Sequence, residues 1–80
     1  MVVLRLFAAA REAAGTGRDD LPGTTVGEVL GAARARYSDA FEQVLANAQV
    51  WRNGEPCEPG DPVGDGDEVA VLPPVSGGFG

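Results

Sequence analysis

The chain contains no histidine, no lysine and a single cysteine among its 80 residues. Each scarcity removes a class of chemistry. Without histidine and with one thiol, metal sites and histidine-assisted nucleophilic catalysis lose their usual ligands and bases. Cys57 alone allows no internal disulfide and fits a reducing compartment, where its ordinary role is that of a small hydrophobe in or near a strand. All six basic residues are arginines, so the chain cannot be extended on itself through lysine isopeptide bonds. No apolar run approaches the roughly 20 residues that span a bilayer. Met1 to Ala10 lacks the basic flank of a signal peptide, which makes the cytoplasm the expected location. The net charge of −6 argues against nucleic acid, because phosphate binding needs clustered cations. An acidic surface can steer a protein to a basic partner, although simple solvation accounts for it as well.

What is present fits one small domain. A hydrophobic fraction of 44% over 80 residues supports one modest core. Residues 2–8 read as a strand, with Val2, Leu4 and Leu6 on one face and Val3, Arg5 and Phe7 on the other. Ala9 to Ala14 reads as a short helical turn stopped by Gly15, and Gly17 to Leu21 as a second strand. Thr25 and Glu28 have the spacing of a capping box. Val26, Val29, Leu30, Ala33 and Tyr37 then give the main helix one buried stripe. Gly31 within it allows a close approach to a sheet. Ser38 to Ala46 is a shorter helix, Ala48 to Arg52 a strand, and Asn53-Gly54 a hairpin turn. Pro56, Pro59 and Pro62 restrict the next stretch to short edge pairing. After the turn at Asp65-Gly66-Asp67, residues 68–72 form the closing strand. The order predicts an α+β fold with a mixed sheet packed on one main helix.

The chain finishes in a different style. Residues 1–74 read as the domain, and residues 75–80 as a flexible tail carrying Gly77-Gly78 and then Phe79-Gly80. Glycine lacks a Cβ, so such a tail can thread a narrow channel, and Pro73-Pro74 hold it extended. Pairing of the first and last strands places Phe7 and Leu72 on one exposed face beside that exit. An apolar patch at the root of a tail is a candidate docking surface; the alternative is that Phe7 is covered by a neighbouring turn or loop. Trp51 and Tyr37 read as core or boundary residues. Asp19, Asp20, Asp65 and Asp67 read as turn and surface carboxylates, and Arg11 and Arg52 as solvated.

The Leu6-Phe7-Ala8, Arg11-Glu12 and Gly15 pattern resembles the small subunit of molybdopterin synthase. So do Asp65 to Ala70 and the ending Pro73-Pro74-Val75-Ser76-Gly77-Gly78, and the likeness runs from Val2 to Gly78. This resemblance implies a β-grasp, ubiquitin-like fold and a sulfur-carrier role. In that family a ubiquitin-activating-like adenylating enzyme uses MgATP to activate the terminal glycine carboxylate. A sulfur donor, a sulfurtransferase or desulfurase, then converts it to a thiocarboxylate. The large synthase subunit takes up the tail, and the sulfur enters cyclic pyranopterin monophosphate. Carried over, Gly78 is the activated residue, Gly77, Ser76 and Val75 thread the partner's channel, and Phe7, Leu72, Pro73 and Pro74 contact it. The resemblance implies no cofactor or metal bound by this chain itself, and a heterotetramer with two large subunits.

Phe79-Gly80 departs from the family's ending, since an intact amide at Gly78 leaves no carboxylate there to activate. Three explanations compete: a deubiquitinase-like protease trims the dipeptide, Gly80 is activated instead, or this copy is not a carrier. A carrier for cysteine or thiazole synthesis, a non-covalent β-grasp binding module and a protein tag are the other readings.

Overall fold

The computed structural model describes residues 1–74, and the tail expected over 75–80 lies outside them. The strands are β1 (Val2–Leu6), β2 (Arg18–Leu21), β3 (Gln49–Arg52), β4 (Glu55–Pro56) and β5 (Glu68–Leu72). The helices are α1 (Ala8–Ala14), α2 (Val26–Arg36) and α3 (Asp39–Ala46). The sheet order is β2-β1-β5-β3-β4. β1 and β5 run parallel at the centre, and the other pairings are antiparallel. This is the β-grasp arrangement that the resemblance implies.

Period-two alternation sorts the two central strands. Val2, Leu4 and Leu6 of β1 and Val69 and Val71 of β5 are at most 2% exposed. They meet the stripe of α2, where Val26, Val29, Leu30 and Ala33 are buried, and Phe41 and Leu45 of α3. No polar or charged residue is buried among the described ones. Val63, from the proline-rich loop, also joins this core at 8% exposure, which no local periodicity announced.

The start of α2 explains that loop. The first four N–H groups of a helix have no intrahelical partner. Here Val26 and Gly27 donate to the carbonyls of Asp61 and Pro59 (2.9 and 2.8 Å). Glu28 donates to Thr25 Oγ1 (3.2 Å), and the first intrahelical bond then runs from Val29 N–H to the Thr25 carbonyl (3.1 Å). The residues between the prolines thus cap the main helix and deliver Val63 inward.

Several expectations change in detail. β1 stops at Leu6, because Ala8 adopts φ +49° and turns the chain into α1. The Glu28 carboxylate reaches past the N-cap, accepting from Thr24 N (2.7 Å) and Thr24 Oγ1 (2.9 Å). Gly31 faces open space; the close approach on α2 is at Gly27, where an added Cβ would lie 3.1 Å from the Pro59 carbonyl oxygen. Asp19 is a strand residue with a 17% exposed side chain, paired with Arg36 at 3.0 Å. Arg52 is half-buried and donates to the Pro62 carbonyl at 2.8 Å.

Candidate partner-docking site

The face of the sheet away from α2 is built from the other half of each strand's alternation. Phe7 follows β1 in extended conformation and is 40% exposed. The Arg5 guanidinium sits 5.6 Å from its ring centre, a cation–π contact that holds the ring on the outer side. Arg5 also reaches Glu68 of β5 at 3.3 Å. Both side chains are 44% exposed, so this surface pair adds little stability. The parallel register pairs Leu6 with Val71, which brings Phe7 abreast of Leu72.

Leu72 is half-buried and lies opposite Gln49, while Ala70 lies opposite Trp51. Trp51 therefore belongs to the outer face and contributes nothing to the core. Its signal was the β3 alternation, in which Val50 pairs with the buried Val71. Its indole N–H donates to Gln49 Oε1 at 3.3 Å.

Pro73 and Pro74 turn toward the helical side. They line an open groove of about 460 Å³ with Ala9 and with Ala40, Gln43, Val44 and Asn47 around α3. The residues expected to form one docking face are thus divided. Phe7 and Leu72 share the outer face of the sheet, and the two prolines border the groove against α3. Val75, Ser76, Gly77 and Gly78, like Phe79 and Gly80, lie outside the described residues.

A second concavity, of about 470 Å³, opens beside Phe7 and is lined by Arg5, Arg11 and Arg18. Register places Arg18 of β2 directly opposite Arg5. Like charges in that position disfavour strand pairing. The Arg11 stem lies against Gly17, where a Cβ would sit 3.4 Å from Nε. A side chain larger than glycine there would press on the guanidinium.

Two ionisable groups away from this surface serve the fold. Asp67 anchors the turn into β5, accepting from Gly64 N (2.8 Å) and Asn53 Nδ2 (3.1 Å). These bonds hold its carboxyl below the usual range, the backbone one most strongly. Burial, with Asp61 nearby, pushes the Cys57 thiol up, and its Sγ donates to the Val50 carbonyl at 3.4 Å. A protonated, half-buried thiol is a poor nucleophile. Among the described residues no cluster of three or more His, Cys, Asp or Glu is placed to hold a metal, and no helix is long and apolar enough to cross a membrane. What the described surface offers chemically is recognition, by exposed aromatic, aliphatic and guanidinium groups at the root of the tail.

Comparison with known proteins agrees with this architecture. The ThiS family model matches residues 4–78. Small archaeal modifier protein 1 of Haloferax volcanii is 42% identical, over 92% of this chain and 97% of its own. The solution structure of small archaeal modifier protein 1 from Methanosarcina acetivorans superposes with a TM-score of 0.86 at 32% identity, covering 96% of this chain and 95% of that one. A Pyrococcus furiosus protein provisionally assigned as molybdopterin converting factor subunit 1 gives 0.79 at 27%, covering 92% and 97%. The chain belongs to the ThiS family of ubiquitin-like sulfur carriers.

Proposed function

We propose that this chain is the sulfur-carrier subunit of a molybdopterin synthase, with Gly78 as its working residue. The observation that carries the carrier role and Gly78 is the extent of the family match, which runs through Gly77-Gly78 and leaves Phe79-Gly80 outside it; the Pro73-Pro74-Val75-Ser76-Gly77-Gly78 ending favours the molybdopterin branch. The geometry at the root of the tail supports it. β5 is a central strand, its last residue Leu72 leads straight into Pro73-Pro74, and exposed Phe7 lies alongside. The tail accordingly starts from a rigid support next to a surface that a partner can grip.

The chemistry follows from the carboxylate. A carboxylate is a poor electrophile, so a ubiquitin-activating-like enzyme with MgATP first converts it to an acyl-adenylate, releasing pyrophosphate. The outer sulfur of a persulfide on a sulfurtransferase or desulfurase attacks the acyl carbon and AMP leaves, giving an acyl disulfide. A thiol then cleaves its S–S bond, leaving as a disulfide with the donor and releasing the thiocarboxylate. Inside the large synthase subunit the tethered sulfur is delivered at high effective concentration to cyclic pyranopterin monophosphate. MgATP belongs to the activating partner, and the acid and base groups come from the partners. Removal of Phe79-Gly80 by a protease precedes activation.

The acceptor is the test. The chain ending at Gly78 and carrying sulfur is mixed with a large synthase subunit and cyclic pyranopterin monophosphate. Formation of the dithiolene product, with return of the carrier to its carboxylate mass, is the expected result. A carrier that keeps its sulfur under those conditions is not a molybdopterin synthase subunit.

A second reading uses the same activated tail to modify proteins. It is favoured by the 42% identity to a modifier protein. It requires conjugates of higher mass on other proteins that disappear when Gly78 is deleted.

A further inference from the structure

We propose that Arg5, Arg11 and Arg18 form a docking collar for an acidic segment of the enzyme that activates the tail, with Phe7 as the apolar anchor inside it. The inference rests on the carrier reading above and names the chemistry of one partner contact. Three of the six arginines of a chain with net charge −6 converge on one concavity. Arg5 and Arg18 face each other across β1 and β2. Leu6 N–H donates to the Gly17 carbonyl at 2.9 Å, so by ladder alternation Arg5 and Arg18 occupy a closely spaced, non-hydrogen-bonded pair. Among the described residues, neither Arg11 nor Arg18 has a carboxylate within 4.0 Å. Arg5 already pairs with Glu68, whereas an external carboxylate would neutralise Arg11 and Arg18 and relieve the Arg5–Arg18 repulsion.

Guanidinium forks match carboxylates in bidentate geometry. A free inorganic anion would leave Phe7 uncovered at 40% exposure. Arginine around an aromatic anchor is instead the composition of a protein–protein hot spot. Phe7, which lines the concavity, lies abreast of Leu72 by the Leu6–Val71 register, so a partner that grips the collar sits next to the strand that leads into the tail it must bring to its own active site. In a chain acidic overall, a local basic collar also fixes the orientation of an acidic partner.

The experiment measures ATP–pyrophosphate exchange by the adenylating enzyme as a function of carrier concentration, using the 80-residue chain and the form ending at Gly78. Variants are Arg18→Glu, the double variant Arg11→Ala/Arg18→Glu, and Arg34→Glu, an exposed arginine on α2. The carboxylate introduced by Arg18→Glu would face Arg5 as an opposite charge, so the fold is expected to tolerate it, and thermal unfolding checks this. The double variant should raise KM for the carrier by at least about tenfold with kcat unchanged, and Arg34→Glu should stay within about twofold. Added salt should weaken the unsubstituted carrier and leave the double variant nearly flat, as screened charge pairs require. Equal KM values for the unsubstituted and double-variant carriers, or an equal loss in Arg34→Glu, would overturn the collar alone. Absence of exchange with both unsubstituted forms would instead remove the carrier reading, and this partner assignment with it.

Discussion

The Tyr37 hydroxyl donates to Asp19 Oδ2 at 2.5 Å, binding the end of α2 to the edge strand β2. The same oxygen accepts from Arg36 Nε at 3.0 Å. Tyr37 also packs edge-on against Phe41, with ring centres 5.1 Å apart. One boundary tyrosine thus joins the sheet, the main helix and the buried aromatic of α3.

Tyr37→Phe keeps the packing and removes only the hydroxyl. A hydrogen bond to a charged acceptor at a partly exposed site contributes about 1 kcal/mol, so urea unfolding should show a loss of that order. The pH dependence is specific. Burial, helped by Asp19, pushes the phenol from 10.0 up to about 12. Its stabilisation is complete below pH 10 and is lost as pH rises through about 12. Tyr37→Phe should lack that alkaline component.

The acid limb has the opposite sign. Asp67 and Glu28 both lie below their usual values, chiefly through backbone hydrogen bonds from Gly64 and Thr24. The unfolded chain therefore binds protons first, and stability falls as pH drops through the folded-state values, below 3.8 for Asp67 and below 4.5 for Glu28. Asp67→Asn should shallow the acid denaturation curve and leave the alkaline limb unchanged.

Two phenylalanines separate folding from docking. Phe41 is fully buried, and Phe41→Ala should cost about 3–5 kcal/mol by creating a cavity. Phe7→Ala should change stability by no more than about 0.5 kcal/mol while weakening association with either partner enzyme. Paired chemical denaturation and titration calorimetry read both. A Phe7→Ala chain that binds normally would exclude this face from docking.

Ala8 is a fourth check. A non-glycine residue at φ +49° is strained by about 1–2 kcal/mol, partly offset in a glycine variant by backbone entropy. Ala8→Gly should raise the unfolding midpoint by a few degrees, for about 0.5 kcal/mol gained.

Much of this was legible because the signals were local. The alternation of β1 and β5, the α2 stripe, the stop at Gly15 and the Asn53-Gly54 turn each depend on neighbours in sequence. Gly15 adopts φ +78° and Asn53-Gly54 +50° and +85°. Contacts set by distant segments were not readable. Pro59 and Asp61 cap α2 from more than 30 positions away, which hid Val63 from the core and misdirected the role of Gly31. Asp19 looked like a turn residue because its partners, Arg36 and Tyr37, arrive from the far end of a helix. The site divided for a similar reason. Phe7 and Leu72 obey strand alternation, whereas Pro73-Pro74 follow the end of β5 and border a groove against α3, a neighbour that no local period announces. The arginine collar needs the β1–β2 register before Arg5 and Arg18 become neighbours.

The central claim, that Gly78 is the residue that accepts sulfur, is tested most directly by intact mass. The 80-residue chain and the form ending at Gly78 are each incubated with the adenylating enzyme, MgATP and a sulfur donor. The account predicts that only the form ending at Gly78 gains the mass of one sulfur for one oxygen. Sulfur on a full-length chain that keeps Phe79-Gly80, or none on the Gly78 form, would contradict it.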